Sequence, residues 1–175
     1  MVACGDADAM VTGNTRRYGQ SLQKIVKVVD PRPGEIMFGL NMVVNKGRTV
    51  FIGDTSVHEY PTSKQLADIA ISSARVVRLF GFTPRVAFLS HSTFGQPMTS
   101  RTKHIRDAVE ILKKMKVDFK FDGDMQPDVA LDEKYRELYP LSEIVGRANV
   151  LIMPGQHSAA ISYKIMKSMS SSKVI

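Results

Sequence analysis

The sequence has one cysteine, no tryptophan and no long hydrophobic run, and each shortage excludes a class of protein. A single thiol, Cys4, cannot form an intramolecular disulfide and fits a reducing compartment. No apolar run approaches the roughly 20 residues that span a bilayer. Residues 1–6 also lack the basic start and apolar stretch of a secretory signal. We therefore expect a cytoplasmic protein with no membrane partner.

Aromatic residues are also scarce, at 7%, whereas the formal net charge is +7. Such a charge fits either nucleic acid or an anionic small molecule. Stacking on single strands requires aromatic side chains interleaved with arginines, and the sequence has no such pattern. We therefore expect no nucleic-acid partner.

Several common fingerprints of bound groups are missing as well. No G-x-G-x-x-G follows a predicted strand and no P-loop occurs, so neither a dinucleotide nor ATP is indicated. His58, His104 and His157 lack paired metal spacing, which favours surface or supporting roles. The Asp-Gly-Asp at residues 122–124 lacks the further ligands of a calcium loop and is interpreted as a strand-to-helix turn with capping aspartates. We expect no metal and no cofactor in this chain.

What is present is an alternation of strand and helix patterns along the 175 residues. Runs of apolar and β-forming residues predict strands at residues 8–13, 36–44, 49–52, 85–89, 119–122 and 149–153. Apolar periodicity predicts helices at residues 16–29, 62–80, 101–114 and 157–169. Residues 45–48 supply a hairpin turn, and Thr62 with Gln65 forms a capping box. Because helices regularly follow strands, we expect an α/β fold. We expect three α/β/α layers, in which helices cover both faces of a mostly parallel but mixed sheet.

The most informative stretch is residues 72–95, which indicates a helix, a stop at Gly81, a buried strand and a polar loop. The loop at residues 90–97 follows the strand at its carboxyl end, where α/β folds bind ligands. Its hydroxyls and amides suit a phosphate or a thioester carbonyl, or else they cap the next helix. Spacing alone favours the capping interpretation. His91 adjoins serines that point to the opposite face, so no Ser–His catalytic pair is expected.

The order of these motifs resembles the phosphotransacetylases. Residues 72–95 are similar to that family's S-A-x(5)-F-G-x-x-P-R-V-A-x-L-S-x-S-T, and the following Phe-Gly resembles the hybrid malic enzymes that end in a phosphotransacetylase-like domain. Further similar segments occur in the family's order at residues 6–13, 54–62, 121–131, 147–154 and 157–162. Residues 13–22 depart from the active enzymes and resemble the T-G-x-T-R-x-Y of the hybrids.

The resemblance implies a phosphotransacetylase or isocitrate-dehydrogenase-like lobe. Residues 1–20 are expected to be a strip of the first lobe and cleft, and residues 21–175 the second lobe. The family's catalytic Ser-Arg and Asp correspond to positions beyond residue 175, which is why no catalytic residue is expected.

By the same resemblance, the chain is a fragment of an NADP-dependent malic enzyme that oxidatively decarboxylates malate to pyruvate. NADP and a divalent metal, Mg or Mn, are expected only in its N-terminal malic domain. This domain is then regulatory, binds acetyl-CoA and forms a homo-oligomer, as a dimer through this lobe. The hairpin of residues 36–52 is expected to supply one contact through an exposed sheet edge or face. One alternative is a lobe of an active phosphate acetyltransferase, and another is a ligand-free dimerisation lobe.

Two loops that follow predicted strands are the candidate ligand site. The residues are Thr12, Gly13, Arg16, Arg17, Ser90, Ser92, Thr93 and Gly95. Arginines suit the phosphates of coenzyme A through bidentate pairs, and Ser92 and Thr93 suit the thioester or pantetheine end. Alternatively, the arginines begin a solvated helix and the serines cap the next one.

Overall fold

The computed structural model describes residues 1–13, 15–169 and 173–174, the last two as backbone only. The chain divides into two compact units, Met1–Glu35 and Ile36–Ile175. The division falls after residue 35, and the assignment of residues 1–20 to a first lobe stays a prediction. None of the described helices is long and apolar enough to cross a membrane.

The first unit contains a short 3-10 helix, Val2–Cys4, and helix α1, Tyr18–Ile25. The predicted strand at residues 8–13 is wrong, because these residues pair with no described strand and Val11 is fully exposed. A strand is stable only within a ladder, so apolar composition is not sufficient. The helix predicted at residues 16–29 exists but is shorter at both ends.

The second unit contains a six-stranded sheet among the described residues. The strands are β1 Leu40–Asn45, β2 Arg48–Gly53, β3 Arg85–Leu89, β4 Lys120–Met125, β5 Val150–Ile152 and β6 Lys173–Val174. Their order is β4-β3-β5-β2-β1-β6. Adjacent strands from β4 to β2 are parallel, whereas β1 is antiparallel to both β2 and β6. The mostly parallel, mixed sheet is therefore confirmed, including the β1–β2 hairpin.

Helices cover both faces of this sheet. The helices of this unit are α2 Ser63–Leu79, α3 Ser100–Met115, α4 Pro127–Leu131, α5 Glu133–Arg136 and α6 Gln156–Met169. Successive residues of β3 alternate between two cores: Val86 and Phe88 pack with α2 and α3, and Ala87 and Leu89 with α4 and α6. This period of two is what a strand buried on both faces produces. The three-layer architecture is confirmed.

Local signals define the ends of the two long helices. Thr62 and Gln65 form the predicted capping box: the Gln65 amide donates to the Thr62 hydroxyl at 3.2 Å, and the Thr62 amide donates to the Gln65 side chain at 2.8 Å. Thr99 and Thr102 form the same arrangement at the start of α3. Gly81, at φ +81°, follows α2 as predicted. These bonds satisfy amides that have no partner within the helix.

A buried arginine holds the segment between β4 and β5. The Arg136 guanidinium donates to the carbonyl oxygens of Val129, Ala130 and Ile144 at 2.6–3.3 Å. Burial lowers the pKa of Arg136, an effect that the nearby Glu133 carboxylate opposes. Arginine is effectively always charged in proteins, so these are charge-assisted hydrogen bonds that fix α4 and α5 to the following loop.

Gly123 in β4 lies against the backbone of β3. A Cβ at this position would stand 2.7 Å from the Cβ and the carbonyl oxygen of Phe88, and the φ of Gly123 is +152°. The β3–β4 register then shifts, so that Phe88 pairs with Gly123, Leu89 pairs with Met125, and Asp124 has no partner on β3. Asp122 and Asp124 therefore lie within a buried strand, and the predicted strand-to-helix turn at 122–124 is wrong.

We expect Gly123→Ala to destabilise the protein by more than about 3 kcal/mol, because it combines an unfavourable φ with a backbone clash. Gly81→Ala is the matched control, since Gly81 has a positive φ but open space around its missing Cβ, and it should cost about 1 kcal/mol. Urea unfolding of both variants measures the difference. Equal losses would show that the close approach of β4 to β3 contributes nothing.

Candidate functional site

The strand order creates a crevice at the carboxyl edge of the sheet. β3 and β5 are adjacent and parallel, but β3 leads to α3 on one face and β5 leads to α6 on the other. The connections leaving the two strands therefore diverge, as they do at the ligand-binding switch points of α/β sheets. Residues 90–97, named here the β3 loop, lie at this point, as the sequence predicts.

The amide groups of the β3 loop are almost all used within the chain. Three amides donate to atoms of β4: Ser90 to the Met125 carbonyl oxygen at 2.9 Å, Phe94 to the Asp124 carbonyl oxygen at 2.7 Å, and Gly95 to Asp124 Oδ1 at 3.0 Å. Three more donate within the loop: Ser92 to Ser90 Oγ at 3.3 Å, Thr93 to the Gln96 carbonyl oxygen at 3.3 Å, and Gln96 to the Thr93 carbonyl oxygen at 3.1 Å. A loop that cradles phosphate leaves several such amides pointing at the anion. These amides instead stabilise the loop itself.

Asp124 is the residue on which the loop converges. Its side chain is fully buried and accepts hydrogen bonds from the Ser92 hydroxyl and the Gly95 amide. Its carbonyl oxygen accepts the Phe94 amide. The Ser90 hydroxyl lies 3.2 Å from the Ser92 hydroxyl, which extends the network by one group. The carboxylate thus holds the loop from the neighbouring strand β4.

Burial divides the loop into two sets of side chains. The predicted contacts Ser90, Ser92, Thr93 and Gly95 are all buried. His91 and Gln96 are exposed. The structure therefore brings the four predicted residues together. They do not cap the next helix, because the N-cap of α3 is Thr99. Instead, the Ser90 hydroxyl accepts the Ser92 amide and the Thr93 hydroxyl accepts the Gln126 amide. A ligand role for them stays a prediction.

The other four predicted residues, Thr12, Gly13, Arg16 and Arg17, belong to the first unit and are exposed. Thr12 and Arg16 line one cavity of about 470 Å³, which Lys24 also lines. Arg17 is the residue before α1, and its side chain caps no helix amide. The structure thus places two of these four residues at one concave surface together with a second cation.

Sequence reasoning missed Lys24, Asp124 and Asp54. Asp54 follows β2 at the carboxyl edge, is buried, and accepts four backbone amides at 2.7–3.1 Å, from Gly39 and residues 56–58. The sequence could have indicated this role, since an aspartate directly after a buried strand frequently caps the following turn. The role of Asp124 could not be predicted in this way, because it depends on the shift in register between β3 and β4, which arises only when the two strands pair.

Three of the four histidines form contacts within the chain. His104 lies 2.9 Å from the Ser63 hydroxyl and 2.8 Å from the Pro61 carbonyl oxygen, His58 lies 2.9 Å from the Met37 carbonyl oxygen, and His157 lies 3.0 Å from the Glu59 carboxylate. Within residues 1–13 and 15–169, no three His, Cys, Asp or Glu side chains are grouped so as to hold a metal ion.

Comparison with known proteins gives a consistent result along the whole chain. The family model described as Phosphate acetyl/butaryl transferase matches residues 1–175. An NADP-dependent malic enzyme of Rhizobium meliloti is 47% identical over the entire chain, which spans 23% of that enzyme. A phosphate acetyltransferase of Clostridium acetobutylicum is 34% identical over 98% of the chain, which spans 54% of that protein.

Solved structures agree with this result. A phosphotransacetylase from Streptococcus pyogenes matches with a TM-score of 0.92 and 26% identity, over 99% of this chain and 54% of that one. The EutD phosphotransacetylase from Staphylococcus aureus matches with a TM-score of 0.89 and 27% identity, over 99% and 55%. The chain spans about half the length of these proteins and about a quarter of the malic enzymes. The shared fold and the match over all 175 residues mean that this chain belongs to the Phosphate acetyl/butaryl transferase family.

Proposed function

We propose that this chain is part of a regulatory phosphotransacetylase-like domain of an NADP-dependent malic enzyme, and that the domain binds acetyl-CoA as an allosteric ligand. The observation that carries the proposal is the 47% identity to such an enzyme over the entire chain. In this proposal the malic domain of the same polypeptide converts malate to pyruvate in the cytoplasm, and that domain holds NADP and Mg or Mn.

The chain offers two separate candidate surfaces for acetyl-CoA, each lying within one unit. In the first unit, Arg16 and Lys24 line one cavity, and Arg17 is exposed nearby in sequence. Guanidinium and ammonium groups are suited to the phosphates of coenzyme A. In the second unit, the crevice beside the β3 loop suits the acyl and pantetheine end. Ser92 then acts through the shape of the loop, because its hydroxyl is buried and donates to Asp124.

We expect Arg16→Ala and Arg17→Ala each to weaken acetyl-CoA binding by the full-length enzyme about tenfold, which corresponds to the loss of one charge-assisted contact. Lys27→Ala is the matched control, because Lys27 is an exposed cation of the same unit that lies outside both the cavity and the predicted ligand residues. Calorimetric titration measures the affinities. Wild-type affinity in both arginine variants would remove the first unit from the site.

The second candidate is a lobe of a working phosphate acetyltransferase, which converts acetyl-CoA and phosphate to acetyl phosphate and coenzyme A. The 34% identity to a phosphate acetyltransferase over 98% of the chain favours it. We expect the 175-residue chain alone to have neither this activity nor malic activity, because acyl transfer requires donors placed around the developing charge and the chain spans about half of the solved transacetylases.

The assay compares purified chain with a heat-inactivated sample, following acetyl phosphate and NADPH separately. A signal above that control in either assay contradicts the expectation. Acetyl phosphate formation by the full-length protein would instead favour the second candidate over the regulatory one.

We also propose that this lobe forms a homodimer. Ile161, Ile165 and Met169 recur every four residues on α6 and are each at least half exposed, which leaves an apolar stripe. The edge of the hairpin is a poorer contact than expected from the sequence, because β6 pairs with Val43 and Val44 of β1.

Light scattering of the full-length protein should show an oligomer that Ile165→Glu weakens at micromolar concentration, because the substitution places a charge in an apolar contact. Tyr60→Glu is the control, since Tyr60 is more exposed than Ile165 and lies outside α6. A monomeric wild-type protein would contradict the proposed dimer, and an unaffected Ile165→Glu oligomer would exclude the α6 stripe.

A further inference from the structure

We infer that His91 is the residue of the β3 loop that contacts the ligand, and that Asp124 is the positioning residue that holds His91 in place. This inference rests on the proposed binding of acetyl-CoA. The expectation from the sequence assigned the contact to the serines and to Thr93. The structure places those side chains beneath the surface of the loop.

The main-chain donors of the β3 loop are nearly all satisfied within the chain. Six of the seven amides in residues 90–96 donate to acceptors within the chain. The His91 amide has no acceptor among the residues that the structure describes. Ser90 and Ser92 point inward to the network with Asp124, and His91 lies between them with its side chain exposed. His91 is thus the exposed side chain between two buried hydroxyls, just beyond the end of β3.

Burying the Asp124 carboxylate has an energetic cost. A fully buried carboxylate is unfavourable unless its hydrogen bonds compensate for lost hydration. Asp124 has no Lys or Arg within salt-bridge distance among the described ion pairs, and its side chain is instead satisfied by the Ser92 hydroxyl and the Gly95 amide. These two donors lie on either side of the Thr93–Phe94 turn, so one side chain fixes the loop that carries His91.

The donor groups of His91 define what this residue binds. A main-chain amide and an imidazole N–H are both donors, so their partner is an oxygen acceptor. Acetyl-CoA offers such oxygens in two places, the thioester carbonyl and the phosphates. Titration with coenzyme A, which lacks the acetyl group, distinguishes the two sources. If His91 contacts the thioester carbonyl, His91→Ala weakens the binding of acetyl-CoA only. If His91 contacts a phosphate, the variant weakens the binding of both ligands.

The test uses calorimetric titration of the full-length protein with acetyl-CoA and with coenzyme A. We expect His91→Ala and Asp124→Asn each to weaken acetyl-CoA binding about tenfold. The double variant should also be about tenfold weaker and not a hundredfold, because Asp124 acts through His91. Gln96→Ala is the matched control, since Gln96 is the other exposed polar side chain of the loop, and it should bind like the wild type.

A second readout follows the loop itself. Hydrogen exchange of the Phe94 and Gly95 amides should be at least tenfold faster in Asp124→Asn, with exchange in the α2 and α3 helices unchanged. If Asp124→Asn does not fold, Ser92→Ala replaces it, because it removes the same hydroxyl–carboxylate hydrogen bond with a smaller change.

The possible outcomes separate the claims. Wild-type affinity in His91→Ala overturns the contact, and additive losses in the double variant overturn the positioning role of Asp124. Unchanged exchange of the two amides also overturns that role. A wild-type protein that does not bind acetyl-CoA refutes the proposed function and the His91 contact with it, whereas hydrogen exchange still decides the role of Asp124.

Discussion

The close approach of β4 to β3 at Gly123 is the constraint on which the candidate site depends. Because no side chain separates the two backbones there, the register shifts and Asp124 is left without a partner on β3. Its carboxylate then accepts hydrogen bonds from Ser92 and Gly95 of the β3 loop. A missing Cβ in one strand thus determines the shape of the loop that follows the neighbouring strand.

The sheet topology and this local contact have separate effects. The order β4-β3-β5-β2 places loops that diverge to opposite faces beside each other, which creates a crevice in any fold of this class. It does not determine which groups line the crevice. That depends on the hydrogen bonds of the loop, which direct the hydroxyls of Ser90 and Ser92 inward and leave His91 exposed.

Much of the fold was predictable because its signals are local or periodic. The continuous apolar run at residues 86–89, the capping box at Thr62 and the stop at Gly81 predicted the β3 strand and the α2 helix close to their observed ends. The strand at residues 8–13 and the turn at 122–124 were wrong for one shared reason. Whether a segment joins a ladder depends on a partner strand that is distant in sequence.

By itself, the sequence determined the α/β class, the alternation of helices and strands, the family resemblance and the position of the β3 loop at the carboxyl end of a strand. Only the tertiary structure decided which loop side chains are buried, since Ser92 and Asp124 are 32 residues apart and meet through strand pairing. Likewise, Lys24 joins Arg16 at one cavity only once the first unit is folded. Hydroxyls and cations are recognisable in a sequence, but the direction in which they point is set by contacts between distant residues.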